Sequence, residues 1–140
     1  MLAGDVVQLG LQASQISEFE AFGRAGIMDK GRHLAELGDA WTASYAGRIV
    51  ACGGFLEQHP HEAVAWIAIA GEIPPAASVS LVRFCRREAA SSRYERLEAL
   101  VDAGLPKALA FVEAIGFSAV ATLRKKGADR ATQVMFERVR

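Results

Sequence analysis

The chain has 140 residues, 51% of them hydrophobic, and its sixteen basic and sixteen acidic side chains give a formal net charge of zero. That length suits one domain, residues 1–140, with a real core, and the apolar content excludes a disordered chain. Charge balance removes the electrostatic case for nucleic acid as a partner, and no apolar run approaches the roughly 20 residues of a bilayer span, so no membrane is expected either.

The start, MLAGDVVQLGLQ, lacks the basic segment and continuous apolar run of a signal peptide. Asp5–Leu9 reads as a short first strand. From Ser14 the spacing of Ile16, Phe19 and Phe22 predicts a helix, with Ser14 or Ser17 as its cap. A second helix is expected over Asp29–Leu37, stopped by Gly38. Ala40–Tyr45 and Arg48–Phe55 read as a hairpin turning at Ala46-Gly47, and Gly53-Gly54 suggests a bulge or a close backbone approach. Gln58–His61 is expected to be a loop, and Glu62–Ile69 (EAVAWIAI) a buried strand.

The loop Gly71–Ala77 follows, then a helix capped by Ser78 or Ser80 and running to Ala90. Its apolar side carries Leu81, Val82, Cys85 and Ala89. Arg96–Val101 reads as a strand, Asp102–Gly104 as a turn and Leu105–Ile115 as a helix stopped at Gly116. Phe117–Leu123 and Ala131–Glu137 complete the chain as strands around a turn at Lys125–Arg130. The fold class is α/β, in the order β-α-α-β-β-β-α-β-α-β-β. Cys52 and Cys85 have no motif spacing, which fits two buried thiols in the reducing cytoplasm.

That order resembles the GNAT superfamily of acyl-CoA N-acyltransferases. The segments that carry the likeness are GRIVACGGF (Gly47–Phe55), EAVAWIAI (Glu62–Ile69) and ALAFVEAIGF (Ala108–Phe117). The layout is also similar to a compact phage-encoded branch that includes the acetyltransferase-like internal virion protein of short-tailed phages. The resemblance implies a mixed, mostly antiparallel sheet flanked by helices. It also implies a cleft between the Glu62–Ile69 and Arg96–Val101 strands, where the backbone of Ile67, Ala68 and Ile69 pairs with the pantetheine of acetyl-CoA or another acyl-CoA. A homodimer is common in that fold, and the apolar strand Ala131–Phe136 is the expected pairing edge.

The family meets the pyrophosphate with Arg/Gln-x-x-Gly-x-Gly/Ala, whose glycines let backbone N–H groups approach phosphate. Here the segment is Ala70-Gly-Glu-Ile-Pro-Pro-Ala-Ala-Ser78, with one glycine, no arginine and two prolines that lack an N–H. Glu72 adds a negative charge. Ser78, Ser80 and the helix start remain as an anion-favouring element. Arg83, Arg86 and Arg87 share one helix face. They read as a basic ridge for CoA phosphates or an acidic partner, or, as the more ordinary case, as a solvated face balanced by Glu88 and Glu95.

The tyrosine that commonly protonates the leaving thiolate is replaced by Val112. Asp102, near the start of the same helix, suits a turn or pantetheine amides. Glu62 is the candidate base, beside Glu57, His59 and His61, which also read as an exposed polar loop without enough partners for a metal. Trp41 and Trp66 suit a core or a cleft wall, and neither cysteine has a nucleophile's neighbours. The expected function is an acyl-CoA-dependent N-acyltransferase with a divergent pyrophosphate loop. The alternative is a GNAT-shaped binding or phage accessory protein without catalysis.

Overall fold

The short apolar stretch at the N-terminus is a turn of helix, α1 (Asp5–Gln8), and not the expected strand. Its backbone bonds internally, Gln8 N–H to Gly4 O at 3.2 Å and Leu9 N–H to Asp5 O at 3.1 Å. The Asp5 carboxylate, buried, accepts from Leu2 N–H at 2.7 Å and from Thr42 Oγ1 at 2.6 Å. A buried carboxylate needs such donors, and the partner on Thr42 is invisible to local sequence pattern. The computed structural model describes residues 1–2, 4–9, 31–36, 39–126 and 130–140. The helix expected from Ser14 lies outside them. Of the Asp29–Leu37 helix, residues 31–36 are described and are helical.

The chain divides into two compact units, Met1–Glu57 with Ala65–Ser78, and Gln58–Val64 with Val79–Arg140. One six-stranded sheet has the order β1-β2-β3-β4-β6-β5. Its strands are β1 (Ala40–Tyr45), β2 (Arg48–His59), β3 (Glu62–Ile69), β4 (Arg96–Asp102), β5 (Ser118–Lys126) and β6 (Ala131–Val139). The longer helices are α2 (Pro75–Ser91) and α3 (Pro106–Ala114). From β1 onward, the element order is the one read from the sequence.

In the first unit, β1 and β2 form the expected hairpin. Ala46 and Gly47 both take positive φ, 49° and 77°, as a primed two-residue turn requires. The register shift falls at Val50, because Ala43 pairs with Ala51 while Ser44 pairs with Ile49. Gly53-Gly54 is therefore the close approach and not the bulge. A Cβ on Gly53 would run into the Trp41 indole and the Trp66 carbonyl, and one on Gly54 into the backbone of Asp39 and Ala40. Val6, Leu9, Cys52, Ala68 and Ala70 form a core cluster, with Ile49, Trp66 and Ile73 packed against it.

In the second unit, β3 meets β4 in a parallel ladder, Glu62–Val64 against Arg96–Glu98. Parallel neighbours need a crossover, and α2 supplies it. Every fourth residue of α2 faces inward, with Ala77, Leu81, Cys85 and Ala89 all buried. β4 alternates as a strand covered on one side: Leu97, Ala99 and Val101 are buried, while Arg96, Glu98 and Leu100 point to the other face. β4 pairs along its whole length with β6, so the Ala131–Phe136 segment is internal. The free edge on that side is β5, not β6.

α3 begins at Pro106, after an Asx turn in which Gly104 N–H donates to Asp102 Oδ1 at 2.7 Å. It ends in a Schellman motif: Phe117 N–H bonds to Val112 O at 3.2 Å and Gly116 N–H to Glu113 O at 3.0 Å, with Gly116 at φ 99°.

The glycine contacts set an order of stability. Gly54→Ala meets backbone atoms that cannot rotate away, whereas Gly53→Ala meets chiefly a side chain. Both are expected to lower the urea midpoint, by ~1–3 kcal/mol of stability, with Gly54→Ala the more damaging of the two. Equal midpoints for wild type and Gly54→Ala would show that the β1–β2 approach is looser than described.

Candidate functional site

The candidate groups sit at the two ends of β3. At its start a tight Pro60-His61 turn replaces the expected longer loop, since β2 continues to His59. The His59 and His61 rings stack with centroids 6.1 Å apart, both exposed. The His61 carbonyl accepts from Glu95 N–H at 2.9 Å and Arg96 N–H at 3.1 Å, which fixes the start of β4 against this turn. Glu62, half-buried, is the Cα partner of Arg96.

Arg96 donates to Glu98 at 2.8 Å and pairs with Glu137 at 2.5 Å, so three charges share the face on which Glu62 stands. The hydrogen bond to Glu98, with help from Glu137, raises the Arg96 guanidinium above its ordinary range. Alternation of Arg96 and Glu98 along a strand is the sequence signal for this contact, although Glu137 comes from β6 and leaves no local trace. Among the described residues no group of three or more His, Cys, Asp or Glu is placed to hold a metal ion.

At the other end, Ala68 is buried in the core cluster of the first unit, while Ile67 and Ile69 are half-buried. Ala70 N–H bonds to Val50 O at 2.9 Å and closes the strand. The following segment corrects the sequence reading. α2 starts at Pro75, so neither Ser78 nor Ser80 is its cap. Ser78 N–H bonds to Pro74 O at 3.0 Å, as the first interior bond of the helix, and its hydroxyl leans on the same carbonyl at 3.4 Å. Ser80 is exposed, within the helix. The reason lies in Pro75: proline suits the first helical position, where its missing N–H removes no helical bond. The first-turn amides left to receive an anion are those of Ala76 and Ala77.

Val112 is buried, as is Phe117 after it, so the position of the expected proton donor is part of the core. Asp102 takes the turn role. Tyr94 is buried, and its hydroxyl accepts from Arg93 Nη2 at 2.8 Å. Trp66 belongs with the first unit's core, and its buried Nε1 has no hydrogen-bond partner. Arg83, Arg86 and Arg87 are all exposed.

No family model matches the chain, and no curated relative matches it. Solved structures do. A GNAT-family acetyltransferase from Bacillus anthracis aligns at a TM-score of 0.72 and 10% identity, over 98% of this chain and 90% of that one. The chain has the GNAT fold. The ribosomal-protein-alanine N-acetyltransferase of Brucella melitensis aligns at 0.67 and 16% identity, over 81% and 78% of the two chains. A Salmonella typhimurium protein solved with its cofactor acetyl-CoA aligns at 0.66 and 10% identity, over 83% and 73%. At such identities the likeness is one of fold. Within this GNAT fold no helix among the described residues is long and apolar enough to cross a membrane.

Both thiols are held protonated. Burial pushes Cys52 up against the opposing effect of its hydrogen bond with Thr42, and burial followed by the Glu88 carboxylate pushes Cys85 up to about 12. Iodoacetamide at pH 8 is expected to leave both cysteines unmodified in the folded protein and to label both in urea. Because the folded Cys85 value lies above its ordinary 9.0, its contribution to stability is complete below pH 9 and is lost as pH rises from there toward 12. Labelling of either thiol in the folded protein at pH 8 would contradict this.

Proposed function

We propose that the protein is an acyl-CoA-dependent N-acyltransferase with a divergent pyrophosphate loop. The observation that carries the reading is the GNAT fold shared over nearly the whole chain with acetyltransferases, one of them solved with acetyl-CoA. Bound acyl-CoA would supply an acyl group activated as a thioester. The backbone of Ile67, Ala68 and Ile69 suits the pantetheine, because strand-like pairing depends little on side chains. The phosphate end fits less well. Pro74 and Pro75 supply no N–H, Glu72 is exposed, and no basic side chain lies between Ala70 and Ser78. Ala76 and Ala77 amides, with the Ser78 and Ser80 hydroxyls behind them, are what this chain offers there.

Glu62 is the proposed base, taking the proton of the acceptor amine. It stands on a strand whose start is pinned to β4, and Arg96 beside it is already satisfied by Glu98 and Glu137. The unpaired, protonated thiols support a reducing cytoplasmic setting.

A second reading has its own support. Val112 is buried where a proton donor would stand, which favours a GNAT-shaped binding protein without catalysis, as the phage-encoded branch suggests. Calorimetry with acetyl-CoA separates the two readings. Binding is expected, with Glu62→Gln leaving the dissociation constant unchanged and lowering acetyl transfer by about 100-fold or more. No heat at millimolar acetyl-CoA would sink the enzyme reading, and undiminished turnover in Glu62→Gln would remove Glu62 as base.

A further inference from the structure

The outward face of α2 carries one sign of charge in a chain that is neutral overall. Its exposed positions are Pro75, Ala76, Val79, Ser80, Arg83, Arg86, Arg87, Ala90 and Ser91, with three arginines and no acid among them. Arg83 and Arg86 have no ion-pair partner among the described residues. Arg87 leans on Glu88 at 3.6 Å, with its guanidinium 5.4 Å from the centre of the Phe84 ring. Glu88, half-buried on the flank, and exposed Glu95 beyond the helix are the nearby acids in sequence. Val79, 52% exposed, gives the same face an apolar point. From Val79 to Ala90 the face is about 16 Å long at helical rise.

We propose that this face docks an acidic carrier protein that presents the acyl group on a pantetheine arm. The inference rests on the acyltransferase reading and names its donor. Two observations converge on it. The arginine face is complementary to an acidic helix of about three turns, which would be steered in by long-range attraction. The segment ahead of it offers two first-turn amides, with exposed Glu72 four residues earlier in sequence, which suits the single phosphodiester of a carrier-bound arm better than the three phosphoryl groups of CoA. In the reaction the acceptor nitrogen forms the C–N bond as the thioester C–S bond breaks. The thiolate leaves on the carrier's arm, and the amine proton passes to Glu62.

The test compares three probes on the full chain: acetyl-CoA, acetyl-pantetheine, and a bacterial acyl carrier protein prepared with and without its acetylated arm. The acetylated carrier is expected to bind at least about tenfold more tightly than acetyl-pantetheine. The Arg83→Glu/Arg86→Glu pair should abolish that advantage, and 0.5 M salt should weaken it, because surface attraction is screened. Both sites are exposed, so folding should be unaffected, and acetyl-CoA affinity should stay within about twofold of wild type.

Acetyl-CoA bound tightly with no gain for the acetylated carrier would overturn this inference alone. Loss of acetyl-CoA affinity in the double variant would assign the arginines to CoA itself and overturn it too. Arginine-dependent binding that is equal with and without the arm would overturn the donor role. Failure of all three thioesters to bind would overturn the acyltransferase reading and this inference together.

Discussion

A parallel ladder of three residue pairs, Glu62–Val64 against Arg96–Glu98, sets the register of the chain that follows it. Parallel neighbours cannot be joined by a hairpin, so the chain must cross over through α2 before β4 begins. Once Glu62 is opposite Arg96, β4 carries the register to β6 and β6 to β5. A slip of one residue would turn Leu97, Ala99 and Val101 outward and bury Arg96 and Glu98. The ladder is short, but its side chains make the register costly to change.

The helices show how little of their stability is local. α2 has no basic residue in its last turn, yet its end is held. Arg138 Nη1 donates to Ala89 O at 3.1 Å, and Arg140 reaches the Ser92 carbonyl while its N–H bonds to Glu95 O at 2.9 Å. Cations at a helix C-terminus complement both the unpaired carbonyls and the dipole. These come from the far end of the chain, on a strand that reaches the helix only because β6 pairs with β4. α3 is the opposite case. Its turn and its glycine stop lie within Asp102–Phe117 and could be read in order, and its start falls at Pro106, one residue after the Leu105 expected.

The same division runs through the candidate site. The hairpin and β3 were legible because alternation and turn residues are local. The start of α2 differs from the sequence pattern because Ser78 and Ser80 look like caps, while Pro75 satisfies the first helical position by having no N–H to lose. Val112 is buried, so that position serves packing. The pairing of Arg96 with Glu137 had no signal, since it joins residues forty-one positions apart in sequence.

By itself the sequence determined the order of elements from β1 onward, the hairpin turn and the glycine stop of α3. Each of these depends on backbone preferences within a few residues. Tertiary structure decided the rest: that Asp5–Gln8 coils because Thr42 satisfies Asp5, and that β5 and not β6 is the edge. It also decided that Arg138 and Arg140 cap α2. Those outcomes depend on which buried donor meets which distant acceptor, and a linear pattern does not record that pairing.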